Sequence, residues 1–393
     1  MEAGLNVFAK WMLDTGDKQQ NLLKTLLGLD GPQQVTSQVG QNPAQDSRLR
    51  RGPKTHGGAG ALLAVVLPDV TQGVAVLVAA LVRGFPGPRV MTPRRRACEI
   101  PRMGPSHVPP VTEIGPRDAV LQAAFCDYVP QVFRRADFRH WRQWGEWDDD
   151  YRAFAVFEDD RVVANTSVMR MRLRMDGREV SAFQLGAVGC VPSHRGRGLA
   201  RVAMTAALEA CGDAPVLLFA NPTVRQFYPR FGFQPWKQTL FAAAHEAVPE
   251  GPPAPTLDLE DAKVRADFAA LSREGLPSTE RFGARGYATV ASWHVANGFA
   301  RPLRQLGPHA WVSASVEGDT LYLDDVFARE PFDLRASLPR LIDHPIRSIQ
   351  FGFTPERWWP GAVEAGEDTE ADLFVRRLSP SRAAHRFPVL AHT

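Results

Sequence analysis

The chain has 393 residues, of which 46 are Lys or Arg and 43 are Asp or Glu, for a net charge of +3. That near balance excludes a global electrostatic case for nucleic acid, and the length exceeds one ordinary domain, so two domains with additional sequence are expected. With 44% hydrophobic and 23% charged residues, most of the chain is able to build a core.

The four cysteines are Cys98, Cys126, Cys190 and Cys211. They form no CxxC pair and have no His at ligand spacing, so no metal site is expected. So few thiols in so long a chain fit a reducing, cytoplasmic setting.

Residues 1–110 are poorly patterned and read as an N-terminal extension. Leu5, Phe8, Trp11, Met12, Leu22, Leu23, Leu26 and Leu27 recur at roughly helical spacing within residues 5–29. Residues 31–60 are rich in Gly, Gln, Ser, Pro and Arg and read as disordered. Residues 60–83 are apolar but broken by Pro68, Asp69, Gln72 and Gly73, so neither run reaches the roughly 20 residues of a spanning helix. No membrane partner is expected. A Pro- and Arg-rich linker follows; Arg94, Arg95 and Arg96 read as a solvated basic run. Met103 stands just before the first well-patterned segment and is an alternative start.

Residues 111–245 alternate regularly. A strand at VTEI leads into a helix. Trp141, Trp144 and Trp147, three apart, are predicted on one helix face, where with Phe138 and Tyr151 they serve as core packing or as the lining of an amine pocket. Residues 153–191 read as three antiparallel strands turning at Asp159-Asp160 and Asp176-Gly177. A helix from about Leu199, a strand at VLLFA, a helix at TVRQFYPRFG and a strand at FQPWKQTLFAAAH complete an α+β layered domain.

A Pro-rich linker spans 246–256, and residues 257–393 read as a second α+β domain. It is predicted to hold helices at VRADFAALSREG and ERFGARGYATVASWHVANGF, a hairpin around Glu317-Gly318-Asp319, a helix at FDLRASLPRLI and a strand at IRSIQFGF.

The segment with most chemistry is FQLGAVGCVPSHRGRGLARVAMTAALEA, residues 183–210. A strand ends near Val191, a turn carries Arg195, Gly196, Arg197 and Gly198, and a helix begins at Leu199 and Ala200. A helix N-terminus offers unpartnered N–H groups and a positive dipole. The glycines let an anion approach the backbone, and the arginines add charge and donors. Read alone, the turn is either this phosphate cradle or a tight structural turn. It lacks the patterns of a P-loop or a dinucleotide fold.

Further on, VLLFANPTVRQFYPRFGF places Asn221, Val224, Tyr228, Gly232 and Phe233 after a buried strand. With R-x-x-G-x-A at Arg195, Gly198 and Ala200, this series resembles two successive motifs of the GNAT N-acetyltransferase superfamily, over about residues 112–245. The resemblance implies a GNAT-type mixed sheet flanked by helices, with acetyl-CoA as acyl donor. Backbone groups of Gly189, Cys190 and Val191 would pair with the pantetheine arm. N–H groups from Arg195 through Gly196, Arg197, Gly198 and Leu199 to Ala200 would hold the pyrophosphate. Asn221 would contact the cofactor arm or order the splayed strands, and Tyr228 would protonate the leaving thiolate. The expected activity is direct transfer of acetyl to an amine of a small molecule or peptide; the alternative is a non-catalytic acyl-CoA-binding sensor or scaffold.

The strand at 183–191 holds no Asp or Glu, and Gln184 is its only polar side chain of reach. Candidates for the proton acceptor are therefore Glu146, Asp148, Asp149, His194, a water relay or the C-terminal carboxylate. Residues 257–393 resemble a degenerate second GNAT-like half, as in tandem members of the superfamily. Arg329, Glu330 and Pro331 stand where the Gly-rich turn would be, and Asp324, Asp325, Trp358 and Trp359 are structural or reach the acceptor. Acceptor identity and oligomeric state are left open.

Overall fold

Two mixed sheets, flanked by six α-helices, are built by residues 109–369, 372–379 and 383–393, the residues described by the computed structural model. The expectations for residues 1–108, including the helix at 5–29 and the basic run at 94–96, lie outside them.

β1 (Val111–Ile114) leads into α1 (Ala119–Val132) and the short α2 (Arg139–Gln143). β2 (Tyr151–Glu158), β3 (Arg161–Met175) and β4 (Arg178–Cys190) then form an antiparallel meander. Its turns fall where expected. Asp159 and Asp160 have φ of 48° and 59°, and Asp176 and Gly177 have 47° and 75°, the positive values that match the twist of a tight hairpin. α3 (Leu199–Cys211) follows, then β5 (Val216–Ala220), β6 (Gln234–Pro235) and β7 (Gln238–Ala247).

The later chain supplies α4 (Ala262–Glu274), β8 (Phe282–Arg285), α5 (Ala288–Ala296), β9 (Leu303–Gly307), β10 (Ala310–Glu317) and β11 (Thr320–Ala328). It ends with α6 (Leu334–Ser337), β12 (Ile346–Phe351), β13 (Val363–Asp368) and β14 (Asp372–Arg376).

The first sheet runs β1-β2-β3-β4-β5-β14-β6, with β8 also on β3; the second runs β13-β7-β12-β11-β10-β9. Strands thus cross the Pro-rich segment in both directions. β7 enters the second sheet, while β8 and β14 enter the first. β14 brings the buried Leu373, Phe374 and Val375 to β5, whose five residues are all buried. An apolar strand buried on both faces needs a partner on each edge.

Each sheet holds one parallel pair. β4 pairs with β5 from Phe183↔Val216 to Leu185↔Leu218, and β11 pairs with β12 from Thr320↔Ser348 to Leu323↔Phe351. A register shift interrupts β4 beside Ala187 and β11 beside Asp324, immediately after each parallel stretch.

Three local expectations are corrected. Residues 280–299 are not one helical segment: Phe282–Arg285 is a strand on the edge of β3, and Gly286, at φ 66°, separates it from α5. The region 223–232 is not one helix but two 3-10 turns, Pro222–Val224 and Tyr228–Phe231, because Pro222 and Pro229 each start a turn and the left-handed Gly232 ends the second. The three tryptophans do not share one helix face. α2 stops at Gln143 and Gly145 takes φ 81°, so Trp147 lies beyond it.

Candidate functional site

β4 and β5 run side by side for three residue pairs and then lose their pairing. β4 continues along β3 through Gly189↔Asn165 and Cys190↔Ala164. The Val191 N–H donates to Val163 O at 2.9 Å. Because successive backbone groups of a strand alternate sides, the Cys190 backbone faces the edge that β5 has left. Gly189 is required where it stands. A Cβ there would come within 2.5 Å of Val132 Cγ1 and 3.0 Å of the Tyr128 hydroxyl, so α1 packs flush against this strand.

Beyond Val191 the chain makes a 3-10 turn, Pro192–His194, and enters α3 through Gly196 and Gly198, at φ 79° and 80°. No atom stands within 4 Å of a Cβ built at either glycine. Conformation therefore selects glycine here, and the turn faces open space. Gly198 is the N-cap of α3 without a side-chain cap, which leaves the first N–H groups of the helix to face outward. Leu199 is buried, while Arg195 and Arg197 are exposed.

The charge around this cradle is already paired. Arg197 Nη2 lies 2.8 Å from Glu158 Oε1, and His194 Nε2 pairs with Glu158 Oε2. Ser193 Oγ in turn contacts His194 Nδ1 at 2.8 Å. Arg197 and then His194 hold the Glu158 carboxyl down to about 2. Arg195 Nε donates to Cys190 O at 3.3 Å. A cavity of about 210 Å³, lined by Val156, Glu158, Val163, Arg197 and Leu199 among others, opens beside the turn.

Asn221 and Tyr228 stand on the β5 side. The Asn221 side chain accepts from Thr223 N and Thr223 Oγ1, both at 2.9 Å, and so caps the turn that follows β5. Tyr228 is buried among Phe227, Phe233 and Phe374 and packs in the cluster that holds Met204 of α3 and Leu218 of β5. Burial raises its hydroxyl pKa, so the group stays protonated and is able only to donate near neutral pH.

The proton-acceptor candidates are dispersed. Glu146 and Asp148 precede β2, whereas Glu158, which holds His194, ends it, about 23 Å along the strand. Burial, then Asp148, pushes Glu146 up to about 7. Burial raises Asp148 too, and Asp149 is exposed. Phe138, Trp141, Trp147 and Tyr151 pack around Phe125 with ring centroids 5.1–6.4 Å apart, which is core packing. Trp358 and Trp359 lie in the core of the second sheet. Asp325 is buried, accepts from Tyr287 Oη at 2.8 Å and is pushed by burial up to about 8. Among the described residues no cluster of three His, Cys, Asp or Glu is placed to hold a metal, and no helix is long and apolar enough to cross a membrane.

Sequence reasoning missed two features. The last residues of the chain thread between the sheets. Val389 N donates to Gly352 O at 3.0 Å, Gln184 Nε2 to Ala391 O at 2.7 Å, and Thr393 N to Gln184 Oε1 at 2.9 Å. Gln184 was the visible signal, as the one polar side chain in an apolar strand. Asn165, fully buried in β3, reaches the β4 bulge with its amide; a lone Asn inside a β-branched run carried a comparable signal.

A family model described as an acetyltransferase (GNAT) domain matches residues 118–236. No curated protein matches the chain. Solved structures do. A conserved protein of unknown function from Enterococcus faecalis shares 12% identity, with 68% of this chain and 71% of that one covered and a TM-score of 0.42. A GCN5-related N-acetyltransferase from Kribbella flavida shares 16%, covering 68% and 70%, with a TM-score of 0.41. The Bacillus subtilis N-acetyltransferase YlbP, solved with coenzyme A, shares 12%, covering 32% of this chain and 84% of its own, with a TM-score of 0.24.

Proposed function

We propose, from the premise that this chain carries a GNAT acetyltransferase domain and so belongs with the acyl-transferring proteins of that superfamily, that it is an acetyl-CoA-dependent N-acetyltransferase. The acceptor is an amine of a small molecule or peptide, and the acetyl group passes to it directly. The supporting observation is the cradle: an uncapped helix N-terminus entered through two left-handed glycines, at the end of a strand that has parted from its parallel neighbour.

In this reading the N–H groups of the turn from Arg195 to Ala200 hold the pyrophosphate, reinforced by the dipole of α3. The gap between β4 and β5 admits the pantetheine arm, which pairs with the free edge at Gly189–Val191 as an added strand. Cys190 faces that edge. Asn221 orders the turn on the opposite wall. Acetyl-CoA supplies the activated thioester. The amine nitrogen attacks its carbonyl carbon, the C–S bond breaks, the buried Tyr228 hydroxyl gives its proton to the departing thiolate, and the proton that the nitrogen sheds passes through solvent to restore the tyrosine.

Residues 257–393 serve as a degenerate GNAT-like half. β10, β11 and β12 repeat the order of β3, β4 and β5, with a bulge after the parallel stretch. The buried Asp324 and Asp325 beside that bulge disfavour an anionic cofactor. The paucity of thiols supports a cytoplasmic setting.

A Tyr228→Phe variant tests the reading. Turnover falls by about 100-fold or more, the general-acid range being about 10²–10⁴, while acetyl-CoA affinity holds. A second reading, a non-catalytic acyl-CoA sensor, draws on one observation: strand 183–191 carries no carboxylate, and Gln184 is committed to the chain's last residues. Wild-type protein that binds acetyl-CoA but releases no thiol with any amine would favour it.

A further inference from the structure

α3 begins at the cradle and runs for 13 residues, so its far end lies about 20 Å away. A cavity of about 440 Å³ opens at that far end. The last turns of α3 line it with Thr205, Leu208 and Glu209, the end of β14 with Arg376 and Arg377, and the turn before β6 with Phe231. No residue assigned to the cradle or to the gap between β4 and β5 takes part in it.

The two arginines have different roles. Arg377 takes a left-handed φ of 57° at the end of β14. From there its Nη1 donates to Gly212 O and lies 2.8 Å from Asp213 Oδ1. Arg377 and Asp213 are thus committed to joining β14 to the end of α3. Arg376 is half-buried against the turn that ends at Gly232, where its Nε stands 3.8 Å from the place a Cβ would take. Its buried Nη1 has no hydrogen-bond partner, and among the described residues no carboxylate pairs with it. A guanidinium withdrawn from water without a counter-charge is unfavourable, and an anion held in the cavity would offset that.

Glu209 breaks a local rule in the opposite sense. It is exposed in the last turn of α3, a turn with no basic residue. A carboxylate there meets the negative end of the helix dipole, where cations are favoured. Among the described residues no cation pairs with Glu209, although Arg376 lines the same cavity.

The cavity therefore presents one unpaired charge of each sign, on two different elements. A simple ion meets one partner and one repulsion there, whereas a zwitterion meets a partner for both of its charges. Thr205, four residues before Glu209 and on the same face of α3, adds a hydroxyl. Leu208 and Phe231 are half-buried and offer apolar surface.

We propose that this cavity binds an α-amino acid with an apolar side chain. Its carboxylate meets Arg376, its ammonium meets Glu209 and the last carbonyls of α3, and its side chain lies against Leu208 and Phe231. The carboxylate suits the planar guanidinium, and the helix C-terminus adds to the pull on the ammonium. The amino acid is a second ligand, held at the opposite end of α3 from the cradle, and its binding does not depend on the acyl-transfer reading.

Calorimetric titration with L-leucine tests this, beside 4-methylpentanoate, which lacks the ammonium, and 3-methylbutylamine, which lacks the carboxylate. The full chain is used as wild type, Arg376→Gln and Glu209→Gln, with thermal unfolding to show that each is folded. Wild type is expected to bind L-leucine, and to bind each analogue at least about tenfold more weakly, the effect of losing one charged partner. Each variant should bind L-leucine about tenfold more weakly than wild type does, with acetyl-CoA affinity unchanged. Glu209→Gln alters only an exposed side chain, so it decides the matter if Arg376→Gln does not fold. Failure of wild type to bind L-leucine overturns the assignment, as does equal binding of the three probes. So does an L-leucine affinity that either folded variant leaves unchanged, which would put the amino acid at another site.

Discussion

Gln184 grips Thr393, 209 residues further along the chain: its Oε1 accepts from the Thr393 N–H at 2.9 Å while its Nε2 donates to Ala391 O at 2.7 Å. The hydroxyl of Thr393 donates to Leu185 O at 3.2 Å, and a Cβ at Gly186 would stand 2.9 Å from Thr393 Cβ. The chain's last residues thus form one wall of the place where β4 and β5 part. Gln184→Leu strands the partly buried Thr393 N–H and the buried Ala391 C=O. Each costs about 1–3 kcal/mol, so urea unfolding is expected to show a loss of about 2–6 kcal/mol. Carboxypeptidase should trim the released end faster. Unchanged stability and trimming would remove the clamp from the account.

On the proposed reading, Glu158 competes with the cofactor's phosphate for Arg197. The carboxylate bonds Arg197 and His194, yet the pair is exposed, and solvent screening leaves such pairs with little effect on folding. Glu158→Gln should leave the unfolding midpoint nearly unchanged and tighten acetyl-CoA binding by about two- to fivefold as Arg197 is freed. Arg197→Ala should weaken it by about tenfold. Calorimetric titration of both variants checks the opposite signs.

Gly189→Ala sets a methyl against Val132 and Tyr128 at 2.5 and 3.0 Å. Overpacking of this kind typically costs about 1–3 kcal/mol. Because β4 must shift away from α1 to relieve it, acetyl-CoA affinity should fall together with stability. A stability loss without an affinity loss would show that this stretch of β4 does not meet the cofactor.

His392 is buried and stacks on Phe219 with ring centroids 3.6 Å apart. Burial, then the neighbouring His294 and Arg386, holds its pKa well below the ordinary value of 6.5. A depressed histidine contributes stability that is present above the unfolded-state pKa, because below it the unfolded chain gains the proton that the fold refuses. Wild type should therefore lose stability from this site as pH falls through 6.5. His392→Phe keeps the stacking and removes the titration. Its advantage over wild type should grow by up to about 1.4 kcal/mol per pH unit below 6.5 and vanish near pH 8, as thermal unfolding across pH will report.

The local parts of the domain were legible because local chemistry sets them. Asp159-Asp160 and Asp176-Gly177 mark hairpins, since Asp and Gly accept positive φ. Gly196 and Gly198 mark the entry to α3 for the same reason. Long-range pairing left no such mark. Nothing in Leu373, Phe374 and Val375 tells that they seat beside β5 across more than 150 residues, or that Gln238 opens a strand of the other sheet. Phe282 and Ala284 alternate over too short a run to outweigh the helical pattern around them, and only the free edge of β3 makes them a strand. At the proposed site, the glycine-rich turn into α3 was visible as a motif. The hold of Asn165 on Ala187 was not, because it joins residues 22 apart on two strands through a bulge that has no sequence signature.

The central claim is that this chain moves an acetyl group from acetyl-CoA to an amine. The most direct measurement is thiol release from acetyl-CoA by the wild-type protein against a panel of aminoglycosides, polyamines, amino acids and peptide N-termini. The account predicts release that depends on one acceptor class, saturates with acetyl-CoA and yields the N-acetylated acceptor. Tight acetyl-CoA binding with no acceptor-dependent release across the panel would contradict it.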